Sequence, residues 1–216
     1  MGKSESRGPA GLIGYWNFDE DSGTIAHDTS GSGYNGVVSG ATWTTGKINS
    51  ALTFNGTTND VITPNIALGN TFSVSVWVNP TVSVESSYAR IAETEYAPGF
   101  YLGTNATGTG YKWVVNGGSG TTGSCGAGYG CAEGGVVTSG WHLVTATFDG
   151  TTAKLYVDDA LVGGDTFSAP SNTNLPLYIG RYYAASLAGW NGAIDEVRLY
   201  NRALSNADVS TIYNLR

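Results

Sequence analysis

The chain is short of charge. Of its 216 residues, 10 are Lys or Arg and 17 are Asp or Glu. Together they make 12% of the chain, against roughly 25% in an ordinary soluble domain. The four Lys and six Arg are scattered along a chain of net charge -7, so the clustered cations that grip nucleic acid or heparin are missing. There are two His and two Cys, too few for a credible zinc set. No apolar run approaches the roughly 20 residues needed to span a bilayer. The first ten residues, MGKSESRGPA, lack the apolar stretch of a signal peptide. Residues 1–10 are read as a tag or linker remnant, and the fold is expected over residues 11–216.

What is abundant is equally informative. Gly, Thr, Ser and Asn make up 43% of the chain, apolar residues 41% and aromatics 12%. That is enough apolar surface for a large core and too much for a disordered chain. A neutral surface of small polar residues is typical of secreted all-β proteins, and the length suits one domain. The two cysteines, Cys125 and Cys131, flank a five-residue spacer with three Gly in GSCGAGYGCAEGG. The spacing is too wide for a redox Cys-x-x-Cys. A loop-closing disulfide there would contribute about 2 kcal/mol in an extracellular setting; the alternative is two reduced thiols.

Period-two alternation runs almost end to end. In FSVSVWVN, residues 72–79, Phe72, Val74, Val76 and Val78 share one face. Segments 141–149 and 153–158 alternate likewise. Further strands are expected at 12–18, 35–39, 51–55, 60–63, 88–94, 99–104, 111–116, 177–182 and 193–200. Asn-Gly, Asp-Gly and Asp-Asp turns separate them. So many short strands mean an all-β sandwich or barrel. One helix is expected at the C-terminus, where Ser205-Asn206-Ala207-Asp208 forms a capping box before Val209, Ile212 and Tyr213. Residues 117–135 form a long Gly-rich stretch with little strand character, of the kind that is functional or mobile.

An ordered set of segments then becomes specific: WNFDE at 16–20, DTSGSGYNG at 28–36, ALTFNG at 51–56, FSVSVWVNP at 72–80, WHLVTATFDGTTAKLYVDDALV at 141–162 and GAIDEVRLYNRALSNADVSTIY at 192–213. Taken in order, they resemble the bacterial laminin-G-like jelly-roll family of the concanavalin A-like lectin/glucanase superfamily, over about residues 11–215. The resemblance implies an antiparallel two-sheet jelly-roll sandwich, with the first and last strands as neighbours. Residues 85–135 depart most from the family pattern.

The resemblance also implies a structural calcium between the first strand region and the last strand. By motif match Asp19 and Asp195 are its carboxylates, with Asp28 and Asn35 as further ligands. Calcium takes six to eight oxygens, and Gly-rich turns let carbonyls converge. A second set of residues suits sugar: Tyr88, Tyr96, Tyr101, Trp113 and Tyr182 as stacking rings, with Arg90 and Arg181 as charge-assisted donors. Trp16, Trp43, Trp77 and Trp141 are read as structural. Glu93 and Glu95 are the nearest approach to a catalytic carboxylate pair, but the third carboxylate of the superfamily's glucanases is absent. No nucleophile elbow is present.

The reading is a non-catalytic, extracellular, lectin-like carbohydrate-binding module with a structural calcium, part of a larger secreted or surface protein. Its partner is a glycan or polysaccharide. The alternative is a structural or adhesive spacer that binds a protein surface, and a glycoside hydrolase stands third. Nucleic acid and a membrane span are not expected.

Overall fold

Strands whose apolar residues alternate bury one face each, so two sheets must stack. The computed structural model describes residues 8–81, 87–95, 99–115, 130–167, 173–184 and 188–215. In chain order these form β1 (Leu12–Trp16), β2 (Ile25–Ala26), β3 (Gly36–Ser39), β4 (Thr42–Thr45), β5 (Ser50–Asn55), β6 (Asp60–Leu68), β7 (Phe72–Pro80) and β8 (Arg90–Glu93). There follow β9 (Phe100–Thr104), β10 (Tyr111–Val115), β11 (Gly130–Gly134), β12 (His142–Phe148), β13 (Thr152–Val157), β14 (Ala160–Thr166), β15 (Thr173–Ile179), β16 (Asn191–Tyr200) and helix α1 (Asn206–Tyr213).

The first sheet runs β14-β13-β12-β7-β16-β5-β4, with β1 also on β16; the second runs β11-β10-β9-β8-β15-β6-β3-β2. Their facing sides form one core, from Val74, Val76, Val78, Val144 and Phe148 on one sheet to Val61, Ile91, Leu102, Trp113 and Ile179 on the other. The expected all-β sandwich is what forms. The terminal strands are neighbours, with Trp16 opposite Val197. Four strands carry no clear alternation and were not expected. β2 is two residues long, β4 (TWTT) and β14 are mostly exposed, and β11 (GCAEG) is Gly-rich.

Two local devices organise the surface. Asp158 and Asp159, at φ 49° and 73°, make the tight turn between β13 and β14 in the left-handed pair that such hairpins require. At the C-terminus Ser205 caps α1, and Asp208 returns a bond to the Ser205 backbone. The helix lays Val209 and Ile212 on the outer side of the first sheet, against Trp77, Leu143, Tyr156 and Tyr200.

Strand β16 places the site. Its first half, Asn191–Ile194, pairs with β5, and its second half, Val197–Tyr200, pairs with β1 on the same flank. The register against β7 slips between Asp195 and Arg198, and Glu196 takes φ 55°. This bulge lies where one neighbour ends and the other begins. Such bulges re-aim side chains, and this one turns a row of charged groups into the gap between β1 and β5.

Candidate functional site

Asp195 lies opposite Trp77 across β7, on the outer face, yet it is completely buried. The 46–49 turn covers it. Its Oδ2 accepts from the Ile48 amide at 3.0 Å, while its buried Oδ1 has no hydrogen-bond partner. Gly46 makes the close approach possible: a Cβ there would sit 2.7 Å from Asp195 Oδ2 and against the Ser50 carbonyl. Burial pushes the Asp195 carboxyl up to about 8; the Ile48 and Glu196 amides pull it back, and the nearby charges of Glu196 and Asp19 push it further up.

Its neighbour Glu196 is equally buried but differently served. Arg198 bonds it directly, and Tyr15 Oη donates to both of its oxygens at 3.0 and 2.8 Å. The Arg198 guanidinium also lies 4.3 Å from the Tyr15 ring centre. Burial still raises the Glu196 carboxyl despite Arg198, and burial pushes the Tyr15 hydroxyl far up. This triad was missed from sequence, though two signals pointed to it. Glu196 and Arg198 are two apart on one strand, and the first strand was expected beside the last.

Asp19 joins the seam from the turn after β1. Its carboxylate accepts from Asn17 Nδ2 at 2.7 Å, Asn49 Nδ2 at 3.1 Å and the Ser50 amide at 3.2 Å. The Ser50 hydroxyl donates to the Phe18 carbonyl at 2.6 Å. The structure thus brings Asp19 and Asp195 within electrostatic reach of each other. Asp28 and Asn35, the further expected ligands, are engaged within their own loop. Asp28 accepts from the amides of Tyr15, Ser30 and Tyr34, and Asn35 Oδ1 accepts from the Asp28 amide. Burial tends to raise the Asp28 carboxyl, but these bonds, with that of the Ser30 side chain, hold it below its ordinary value. Both residues shape the 28–35 loop and have their oxygens occupied.

The Asp19–Asp195 seam passes a fit test for a hard cation. A buried carboxylate oxygen without a hydrogen-bond partner, Asp195 Oδ1, is the group that a divalent ion would satisfy. Among the described residues no group of three or more His, Cys, Asp or Glu side chains is placed to hold a metal ion. A calcium site drawing on carbonyls and amides does not need three.

The expected sugar-binding residues divide into three groups. Trp113 is fully buried between the sheets, 5.1 Å from the Phe100 ring centre and 5.6 Å from that of Phe72. It is a core residue and offers no platform, which corrects the expectation. Its register explains the outcome: Trp113 lies opposite Leu102 and Ala132, both core positions. Tyr96 lies outside the described residues, as does Cys125; Cys131 is buried on β11 beside Tyr101 and Val114.

The rest come together at one end of the second sheet. Arg90, Tyr101 and Glu93 lie on its outer side. The Arg90 guanidinium sits 3.9 Å from the Tyr101 ring centre and 5.1 Å from that of Tyr182. Its Nε donates to Glu93 at 2.7 Å and its Nη1 to the Tyr88 carbonyl. The Tyr183 amide donates to the other Glu93 oxygen, and the Tyr182 and Tyr183 rings meet edge-on at 5.0 Å. Burial pushes Glu93 up to about 7, with Arg90 opposing it. Tyr88 is exposed; Tyr178, Tyr182 and Tyr183 are half-buried. Arg181 is apart from this group, paired with Asp60 at 3.0 Å.

Glu93 and Glu95 do not share a strand. β8 ends at Glu93, and the Glu95 carbonyl instead closes a turn with the Gly99 amide. Glu93 is committed to Arg90 and the Tyr183 amide. An acid and a nucleophile on one face, as a retaining glycosidase needs, are not formed by this pair.

With fold and site in view, the class is clear. The chain belongs to the Laminin_G_3 family of the concanavalin A-like lectin/glucanases superfamily, which it matches over residues 55–210. No curated protein matches it in sequence. Among solved structures it is similar to domain 4 of AbnA, a GH43 extracellular arabinanase of Geobacillus stearothermophilus, solved with arabinotriose. That likeness has a TM-score of 0.67 at 17% identity and covers 94% of this chain and 98% of the other. The binding domain of Paraclostridial Mosquitocidal Protein 1 gives a TM-score of 0.72 at 14% identity, over 94% of this chain and 52% of the other. Trypanosoma rangeli sialidase, solved with 2,3-difluorosialic acid, gives 0.67 at 16%, over 95% of this chain and 33% of the other. The chain therefore spans about half of the toxin domain and a third of the sialidase. At these identities the likeness is one of fold.

Proposed function

We propose that this chain is a non-catalytic carbohydrate-binding module of an extracellular protein, stiffened by a structural calcium. The observation that carries the reading is the aromatic group around Arg90. Tyr88, Tyr178, Tyr182 and Tyr183 offer half-wet rings, and Arg90 is fixed against two ring faces by Glu93. Rings with polar tips stack on the C–H faces of sugars and bond their hydroxyls. The same fold in an arabinanase domain solved with arabinotriose supports this ligand class.

Calcium belongs to the proposal through Asp195 Oδ1, with Asp19 as second carboxylate and amide or carbonyl oxygens from the 17–21 and 46–50 turns. The ion would tie the start of the chain to its last strand. A Cys125–Cys131 disulfide completes the extracellular reading; intact mass with and without reductant checks it, and two free thiols after aerobic purification contradict it.

A second reading has one observation in its favour. Ile25 and Val37, opposite each other on β2 and β3, expose 40% and 55% of their surface, which suits contact with a protein. A glycan array separates the two. The sugar reading expects binding in the range of about millimolar to micromolar dissociation constants, weakened by Tyr182→Ala with the melting temperature unchanged. No binding across the array, together with capture of a protein partner that Val37→Asp abolishes, overturns it.

A further inference from the structure

The first sheet ends on β4, an edge strand that the sequence did not announce. Beside it opens a cleft of about 250 Å³ lined by Asp21, Trp43, Thr44, Thr45, Asn49 and Ser50. It lies on the other sheet from the tyrosine group. We propose that this cleft is a separate sugar site that takes one uncharged monosaccharide unit of a glycan. The proposal rests on the carbohydrate reading above and adds a place and a ligand class to it.

Trp43 lies opposite Leu52 across β5, so its ring faces the same side as the core. β4 is the edge strand of its sheet, and Trp43 on it is half-buried. It packs on the core cluster, and its Nε1 donates to the Gly23 carbonyl at 3.2 Å. The indole is thus held in place before any ligand arrives, which removes an ordering cost from binding. An indole that is anchored, partly open and forms the one aromatic wall of a polar cleft is suited to the apolar face of a sugar ring.

The remaining lining is polar and partly unused. The Asp21 carboxylate and the Thr44 and Thr45 hydroxyls make no hydrogen bond to the described residues. Asn49 is oriented by its bond to Asp19 at 3.1 Å, and Ser50 by its bond to the Phe18 carbonyl. Carboxylate, amide and hydroxyl groups around one aromatic wall match the vicinal hydroxyls of a sugar, which both donate and accept. A drug-like apolar ligand would find only one apolar surface. The volume of about 250 Å³ is enough to seat one sugar unit. The cleft carries the Asp21 carboxylate and no cation, on a chain of net charge -7. Uronates and sialic acids are therefore repelled.

The test uses the full chain labelled with ¹⁵N, whose six Trp each give an indole N–H signal. Trp43→Phe assigns one of them. Xylotriose, arabinotriose, maltotriose and mannotriose are titrated separately, with trigalacturonate as the charged control. The expected result is a saturable shift of the Trp43 signal with at least one neutral trisaccharide and none with trigalacturonate. Asp21→Gly, which removes the carboxylate and accommodates the φ of 57° at this exposed position, should weaken that binding roughly tenfold or more, the scale of one lost polar anchor. If a trisaccharide binds but leaves Trp43 still, and Tyr182→Ala abolishes the binding, the cleft proposal falls and the carbohydrate reading stands. If no sugar moves any signal and a glycan array is also blank, both fall. Equal binding of trigalacturonate overturns the assignment to uncharged sugars.

Discussion

The outer faces of the two sheets both bury carboxylates, and they solve the problem differently. On the second sheet Glu93 has Arg90 at 2.7 Å and a backbone amide on its other oxygen. On the first sheet Glu196 has Arg198 and Tyr15. Asp195, one residue away and fully buried, has only backbone amides and no side-chain cation. A buried charge is tolerated when paired and hydrogen-bonded. Glu93 and Glu196 meet that condition within the chain. Asp195 does not, so it either keeps its proton or takes a cation from outside.

The comparison breaks most visibly if the internal pairs are cut. Arg198→Ala leaves Glu196 buried with no cation, and Arg90→Ala does the same to Glu93. Each should cost about 3–5 kcal/mol in denaturant unfolding. Losses below 1 kcal/mol, far under that scale, would show that the pairs are not what holds these charges. Trp113→Ala, removing a ring from between the sheets, should cost a comparable ~3–5 kcal/mol; unchanged stability with lost glycan binding would return Trp113 to the role of platform.

Next in size is the metal. An ion bound only by the folded chain stabilises it by about 2.7 kcal/mol at a hundred times its dissociation constant. Chelation should lower the melting temperature by several degrees, and Asp195→Asn should remove the difference.

The pH dependence follows with its sign set by the raised carboxyls. Asp195 is at about 8 in the folded chain against an ordinary 3.8. Between those values the folded state holds a proton that the unfolded state has released. In chelator, stability should therefore be greatest near the low end of this window and fall as pH rises through about 8. Glu93, at about 7, adds a fall of the same sign. Asp28, held below its ordinary value, acts oppositely and loses its contribution as pH drops into the acid range. Asp195→Asn should flatten the upper limb. Thermal melts from pH 4 to 9 in EDTA check this, and stability rising across that range contradicts it. The smallest effect is expected at the helix cap: Ser205→Ala should cost about 1 kcal/mol, since α1 is also held by Val209 and Ile212.

Much of this was legible in sequence because alternation reports burial directly. Val74, Val76 and Val78 pack where their period places them. The Ser205–Asp208 box formed as read, because a cap needs only local geometry. Alternation fails where both faces of a strand are covered. Trp113 and Tyr101 lie on opposite faces of the second sheet, and both are buried; periodicity separates faces but cannot say which looks at solvent. Edge strands such as β4 were invisible for the converse reason, since TWTT buries too little to show a pattern. Asp19 and Asp195 were reached through the family motif alone. Their meeting depends on the β16 bulge and the 46–49 turn, which no local signal encodes.

The most direct test of the contrast between paired and unpaired carboxylates is calorimetric titration of calcium into chelator-stripped protein. The account predicts one site per chain, affinity that strengthens as pH rises towards 8 because the ion displaces a proton, and loss of that site in Asp195→Asn but not in Asp28→Asn. Absence of binding heat at both pH 6 and pH 8, with a melting temperature that calcium leaves unchanged, would contradict it.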